Sequence, residues 1–174
     1  MTRDEFWQII ETTRLATNHD PDAQSEHIEM LLTPLPDDEL VSFHTHFYAL
    51  YHPTYRADLW GAAYIINGGC SDDGFDYFRA WVIGRGQAIY EAALASPDSL
   101  AAIAEDDCAE QEDLLSVAIG VWLKRHKKDW SDLEKGDDLF LHTPTPDLIG
   151  ELEDWDENEK KLKKLYPCLY KKFW

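Results

Sequence analysis

Basic residues are scarce through most of this chain. Residues 1–123 hold only Arg3, Arg14, Arg56, Arg79 and Arg85 against 22 acids, a net charge of −17, whereas 124–174 hold 11 bases against 12 acids. Nearly all of the −18 carried by the 174 residues therefore lies in the first two thirds. Phosphate contacts dominate nucleic-acid affinity and anionic leaflets attract bases, so a surface of this sign argues against direct nucleic-acid binding and against membrane adsorption. Long apolar runs are missing too. None approaches the roughly 18 residues of a membrane span, and the opening Met1-Thr2-Arg3-Asp4-Glu5 lacks the basic-then-apolar pattern of an export leader. Cysteine occurs only at Cys70, Cys108 and Cys168, far apart and without a CxxC pair. That argues against a disulfide framework or zinc knuckle and points to the reducing cytoplasm. With Met1 and Met30 the only methionines, a methionine-rich adaptable groove is excluded.

What the chain does have is apolar surface. Hydrophobic residues make up 44% and aromatics 13%, with seven tryptophans, enough to offset the entropy of ordering one core, and 174 residues leave little room for two. The apolar spacing is helical throughout, with no convincing alternation of strand type. Thr2 and Glu5 are spaced as a capping box ahead of a helix to about Ala16. Ile28, Leu31 and Leu32 mark a second helix, stopped by Thr33-Pro34, and Pro36 opens a third that His52-Pro53 ends. Leu59 to Ile66 form a fourth, closed by Asn67-Gly68-Gly69, and Ser71 caps a fifth that runs to Gly84-Arg85-Gly86. A sixth follows through Ala92 and Ala93, and Ser96-Pro97-Asp98 reads as a capped restart. Leu114, Leu115, Ala118, Ile119 and Trp122 predict the clearest long helix. Gly136, Pro144 and Pro146 predict an irregular stretch over 130–150. A last helix from about Glu157 should pack Leu162, Leu165 and Tyr166 on the body. The expected fold is all-α: a single-domain multi-helix globular bundle over 1–174 with that irregular segment and a packed C-terminal helix. Two acidic runs, within 105–113 and 151–159, each precede a lysine-rich cluster, an order that complements the helix dipole.

The block from Arg56 to Trp81, RADLWGAAYIINGGCSDDGFDYFRAW, resembles the signature of the bacterial domain-of-unknown-function family 4240. Asp4-Glu5-Phe6-Trp7, Tyr90-Glu91-Ala92-Ala93-Leu94, Ser96-Pro97-Asp98 and the closing Leu165-Tyr166-Pro167 resemble it as well, so the likeness covers nearly the whole chain. The resemblance implies a helical bacterial protein and brings no activity, cofactor or functional residue with it.

The densest polar stretch, Asn67 to Gly74, lies between two predicted helices, and a site is sought there first. Arg56, Asp58, Trp60, Asn67, Ser71, Asp72, Asp73, Arg79 and Trp81 are its candidate ligand or interaction residues. A phosphate cradle is disfavoured, because Asp72 and Asp73 put two negative charges in the first turn and no Lys-Ser or Lys-Thr follows the glycines. The aspartates, with Asp76, have the oxygen chemistry for a hard cation or for acid–base work. The preferred account is structural: Arg56, Arg79 and Arg85 pair with them across the two helices as a lattice. The same acids are expected to raise the Cys70 thiol pKa and disarm it as a nucleophile. His44 and His46 diverge by about 200° on a helix and suit a polar face better than a metal. Trp60, Trp81, Tyr64 and Tyr77 read as core before pocket. No metal and no cofactor is expected. Two functional hypotheses stand: an interaction protein whose acidic body docks a basic protein partner, of inhibitor or immunity type, and a metal-assisted hydrolase or small-ligand enzyme built on Asp58, Asp72 and Asp73. Oligomeric state is not readable.

Overall fold

The computed structural model describes residues 1–105, 109–133, 140, 146–152 and 159–174. Capping starts the fold: the Thr2 side chain accepts from the Glu5 N–H at 3.2 Å and the Glu5 carboxylate from the Thr2 N–H at 2.6 Å, which opens α1 (Arg3–Ala16). Phe6, Trp7, Ile10 and Thr13 fall on one face of α1 and are buried. Asp20 caps α2 (Pro21–Leu32) through the Ala23 N–H at 2.8 Å, with proline in the first turn, where its missing N–H costs nothing. The α1–α2 hairpin packs on α3 (Asp37–Tyr51), which Pro36 precedes and His52-Pro53 ends in one 3-10 turn.

The centre is held by α4 (Ala57–Ile66) and α5 (Asp72–Gly84). Eight of the ten residues of α4 are buried, and from Phe78 to Gly84 every residue of α5 is buried, because α5 packs against α1, α2, α3, α4 and α6 (Gln87–Ala95). Gly86, at φ +94°, makes the break between α5 and α6. A helix buried all round must still house its polar side chains. Arg79 and Arg85 sit inside this core, and where they find partners decides the chemistry of the site below.

Beyond α6 the structure departs from the sequence reading in three places. Ser96 makes no side-chain cap, and Pro97–Ala102 is a 3-10 helix. The expected long helix is split into a 3-10 turn, Glu112–Leu115, and α7 (Val117–His126), with Ser116 between them at φ −126° and ψ 2° outside helical geometry. Lys124, Arg125 and His126 close α7 at the negative end of its dipole. Within the expected irregular segment, Trp130–Leu133 forms a short α8; 134–139 and 141–145 lie outside the described residues.

The C-terminal part comprises two short helices, α9 (Glu159–Leu165) and α10 (Pro167–Phe173), because Pro167 cannot continue α9. Leu162, Tyr166 and Leu169 are buried, whereas Leu165, expected on the inner face, is 47% exposed. The tail docks by hydrogen bonds as well. The Asp98 carboxylate accepts from the Cys168 and Leu169 N–H groups at 3.0 and 2.9 Å, the Tyr166 hydroxyl donates to the Asp58 carbonyl at 2.7 Å, and Lys172 donates to the Ala101 carbonyl at 3.0 Å. One parallel bridge joins Arg56 and Ile149, and no strand occurs among the described residues. The architecture is an all-helical, single-domain bundle with its C-terminal helix packed on the body, as expected from the helical spacing.

Candidate functional site

The corner between α4 and α5 is built by its own backbone chemistry. Gly68 and Gly69 take φ of +64° and +139°, conformations that a side chain resists, and let the chain reverse after Asn67. Ser71 then accepts from the Gly74 N–H at 3.1 Å and starts α5. Asp72 and Asp73 follow in the first turn, exposed, where the helix dipole favours them. The Asn67 side-chain oxygen accepts from the Ala109 N–H at 2.9 Å and pins the segment after residue 108 onto the corner. The Trp60 indole donates to the Cys70 carbonyl at 3.2 Å, and its ring stacks on Phe75 at 4.5 Å. Trp60 is therefore a strut of the corner with its polar end satisfied.

The arginines pair, though not as a lattice across helices. Arg56 forks onto Asp58, two residues on, at 2.9 and 2.5 Å, and its remaining nitrogen donates to the Leu94 carbonyl at 2.7 Å. Arg79 pairs with Asp76 one turn earlier on α5 and donates to the Tyr51 hydroxyl at 2.6 Å. Its guanidinium lies 3.7 Å above the Tyr51 ring and 4.8 Å from that of Tyr55, so aromatic faces take the place of a second acid. Arg85 pairs with no acid among the described residues: it donates to the His19 carbonyl at 2.5 Å and to the Gln24 side-chain oxygen at 2.8 Å, with Trp81 as a neighbouring ring. Burial, with Arg14 nearby, pulls its pKa down to about 10. The expected lattice is thus corrected. Each pair is local: Asp76 and Arg79 share one face of α5 a turn apart, and Arg56, in extended backbone just before α4, folds back onto Asp58 in its first turn.

Burial, then Glu110, then Asp72 push the Cys70 thiol up to about 12, so it is a poor nucleophile near neutrality. The sequence had credited the aspartates; burial is the larger cause. Cys108 lies outside the described residues. His44 is a second correction: it is buried between Tyr48 and Phe140 at ring distances of 4.5 and 5.1 Å, not on a polar face. His46 points elsewhere, to the Met1 carbonyl at 3.0 Å, so the two diverge as their spacing required.

Of the nine candidate residues, Arg56 and Asp58 line an open cleft of about 570 Å³ together with Ile149, Leu165 and Tyr166. Trp60, Arg79 and Trp81 belong to the core, and Asp72 and Asp73 to the helix start. Among the described residues no group of three or more His, Cys, Asp or Glu side chains is placed to hold a metal ion. The sequence reading missed the polar knot of Gln24, Arg85 and Gln111, all buried, which ties α2, α5 and the turn before α7 together. Isolated glutamines between helices carry no signal of such a role in sequence.

Residues 1–122 match the family model described as "Protein of unknown function (DUF4240)". The chain belongs to the DUF4240 family. No curated protein and no solved structure matches it. The DUF4240 match runs from α1 into α7 and includes all nine candidate residues and all five bases of the acidic body, while α9 and α10, with Leu165-Tyr166-Pro167, lie beyond it. The corner after Ile66 and the inward arginines are thus features of the family-matched part.

Proposed function

We propose that this DUF4240 chain is a non-catalytic interaction protein of the cytoplasm whose acidic body docks a basic protein partner, as an inhibitor or immunity-type factor would. The observation that carries the reading is where the few bases go. Of the five arginines in residues 1–123, Arg79 and Arg85 are 2% and 6% exposed, and Arg14 and Arg56 are held by Glu11 and Asp58. None of the described aspartates and glutamates of that stretch is buried. Two of the five bases are buried and two more are taken up by neighbouring acids, while the acids keep contact with solvent, so acids dominate the surface a partner meets, and the net charge of −17 attracts a cationic protein at long range.

The experiment is capture from native-host extract on the immobilised chain at low salt, followed by a rise to moderate salt. A partner of basic composition that salt releases supports the reading; no salt-released partner overturns it. The second reading, a metal-assisted hydrolase or small-ligand enzyme, draws support only from the cleft beside Arg56 and Asp58. Calorimetric titration with magnesium, manganese, calcium and zinc tests it, and heat of binding lost in Asp58→Asn is what it requires.

A further inference from the structure

The core face of α1 is Phe6, Trp7, Ile10 and Thr13; Ile9, partly buried, packs at the edge of that core. There it borders an open groove of about 600 Å³ between α1, the end of α2 and the start of α3, floored by Ile9, Leu31 and Leu35 and flanked by Glu5, Thr12 and Glu39. Leu31 is 38% exposed, and Leu15 and Met30 on the same hairpin are 57% and 69% exposed. Glu5 is engaged with Thr2 and Glu39 with the Met1 ammonium, so attraction comes from the field of the whole region rather than from either carboxylate. Residues 1–51 carry ten acids against Arg3, Arg14 and the Met1 ammonium, and although Lys124 and Arg125 of α7 meet Glu29 and Asp37, an acidic excess remains around the groove.

An apolar floor inside an acidic surround fits a ligand that is apolar on one side and basic on the other. From Glu5 to Thr12 the groove follows about 10 Å of α1, the span of two helical turns, which matches anchors at i, i+3 or i+4, and i+7 of a guest helix. We propose that this groove docks an amphipathic, basic helix of a partner protein. The inference rests on the preceding reading, that the acidic body meets a basic protein, and names the surface and the form of the partner.

The test uses the full isotope-labelled chain and a synthetic helical peptide of about 14 residues patterned in leucine and lysine, with a control of equal charge in which serine replaces leucine. The leucine peptide is expected to shift the amide signals of Ile9, Thr12, Leu31 and Leu35. Thr12→Lys and Leu31→Lys, both at exposed positions, should each weaken binding about tenfold, and Met30→Lys, outside the groove on the same helix, less than about twofold. Equal binding of the serine peptide with scattered shifts overturns the groove and leaves the acidic docking reading standing. Absence of binding by either peptide at low salt overturns both. A concentration-dependent dimer of the free chain that Leu31→Lys dissolves makes a second copy the occupant and overturns the proposal.

Discussion

Gly84→Ala is a severe perturbation at a position that propensity alone would rate as an improvement. Alanine is more favourable than glycine by about 1 kcal/mol in a helix interior, and by less at the last residue of α5, where Gly84 stands. At this site a Cβ would stand 2.1 Å from the Gln111 side-chain oxygen and 3.0 Å from its amide carbon, closer than atoms can approach. Gln111 is not free to step aside cheaply, because it is buried and its NH2 donates to the Pro21 carbonyl at 3.1 Å and to the Ser25 hydroxyl at 3.0 Å. Either the methyl is tolerated with strain of about 1–3 kcal/mol or Gln111 leaves and forfeits two hydrogen bonds of about 1 kcal/mol each. After a propensity gain of less than about 1 kcal/mol is subtracted, the net loss is up to about 2 kcal/mol. Urea unfolding with an unchanged m-value reads it, and the double variant Gly84→Ala/Gln111→Ala should be more stable than the sum of the two single effects. A Gly84→Ala protein at least as stable as the parent, or additive single effects, refutes the claim that this contact is tight.

Other outcomes follow from the same geometry. Arg79→Ala should cost about 2–5 kcal/mol in chemical unfolding, since it empties a large buried volume against the Tyr51 ring and leaves the Tyr51 hydroxyl without its donor, whereas Arg56→Ala, which breaks a partly exposed pair, should cost about 1 kcal/mol. Burial first, and the Arg79 guanidinium second, hold the His52 pKa below its ordinary 6.5. The unfolded chain thus takes up that proton first as pH falls, and stability should drop below about pH 6.5, with a shallower drop in His52→Gln, read by melting temperature from pH 7.5 to 5.5. With its pKa at about 12, Cys70 has a thiolate fraction at pH 8 about a thousandfold smaller than an ordinary thiol at 9.0. Mass spectrometry after brief iodoacetamide treatment should therefore find Cys70 unmodified in the folded chain and alkylated in urea.

The parts of the fold that were legible in sequence are those where local chemistry decides. Thr2 with Glu5, Ser71 before α5, Asn67-Gly68-Gly69 and Gly86 each meet a backbone requirement within a few residues, and the structure uses them so. Ser96 misled because a cap-like triplet does not settle which carboxylate caps which helix: Asp98 serves α10, some 70 residues away. The split at Ser116 and the outward turn of Leu165 carry no local signal, since apolar spacing reads the same through a 3-10 turn. For the candidate site, the sequence brought arginines and aspartates into one block and had no means of choosing partners. Tyr51 lies 28 residues from Arg79, and its hydroxyl and ring stand beside Asp76 where a second acid from across the corner was expected.

The inward turn of the arginines also fixes the sign of a salt effect. A protein held together by surface ion pairs loses stability when salt screens them, and Lys124–Glu29 and Arg125–Asp37 are pairs of that exposed kind, each worth about 0–1 kcal/mol. Against them stands the mutual repulsion of a body carrying −17 over residues 1–123, with two of its five bases buried and so unable to intersperse among the surface acids. Raising ionic strength from about 0.01 to 0.15 M shortens the screening length from about 30 to 8 Å, which removes repulsion between acids on neighbouring helices while leaving the buried contacts of Arg79 with the Tyr51 ring and hydroxyl little changed. The melting temperature should therefore rise with sodium chloride over this range. Arg79→Met should rise in parallel from its lower starting value, because its loss lies in the unscreened interior. A melting temperature that falls as salt is added would mean that the surface pairs outweigh the repulsion. The outward acids would then be neutralised in place, with no field left over to draw in a basic partner.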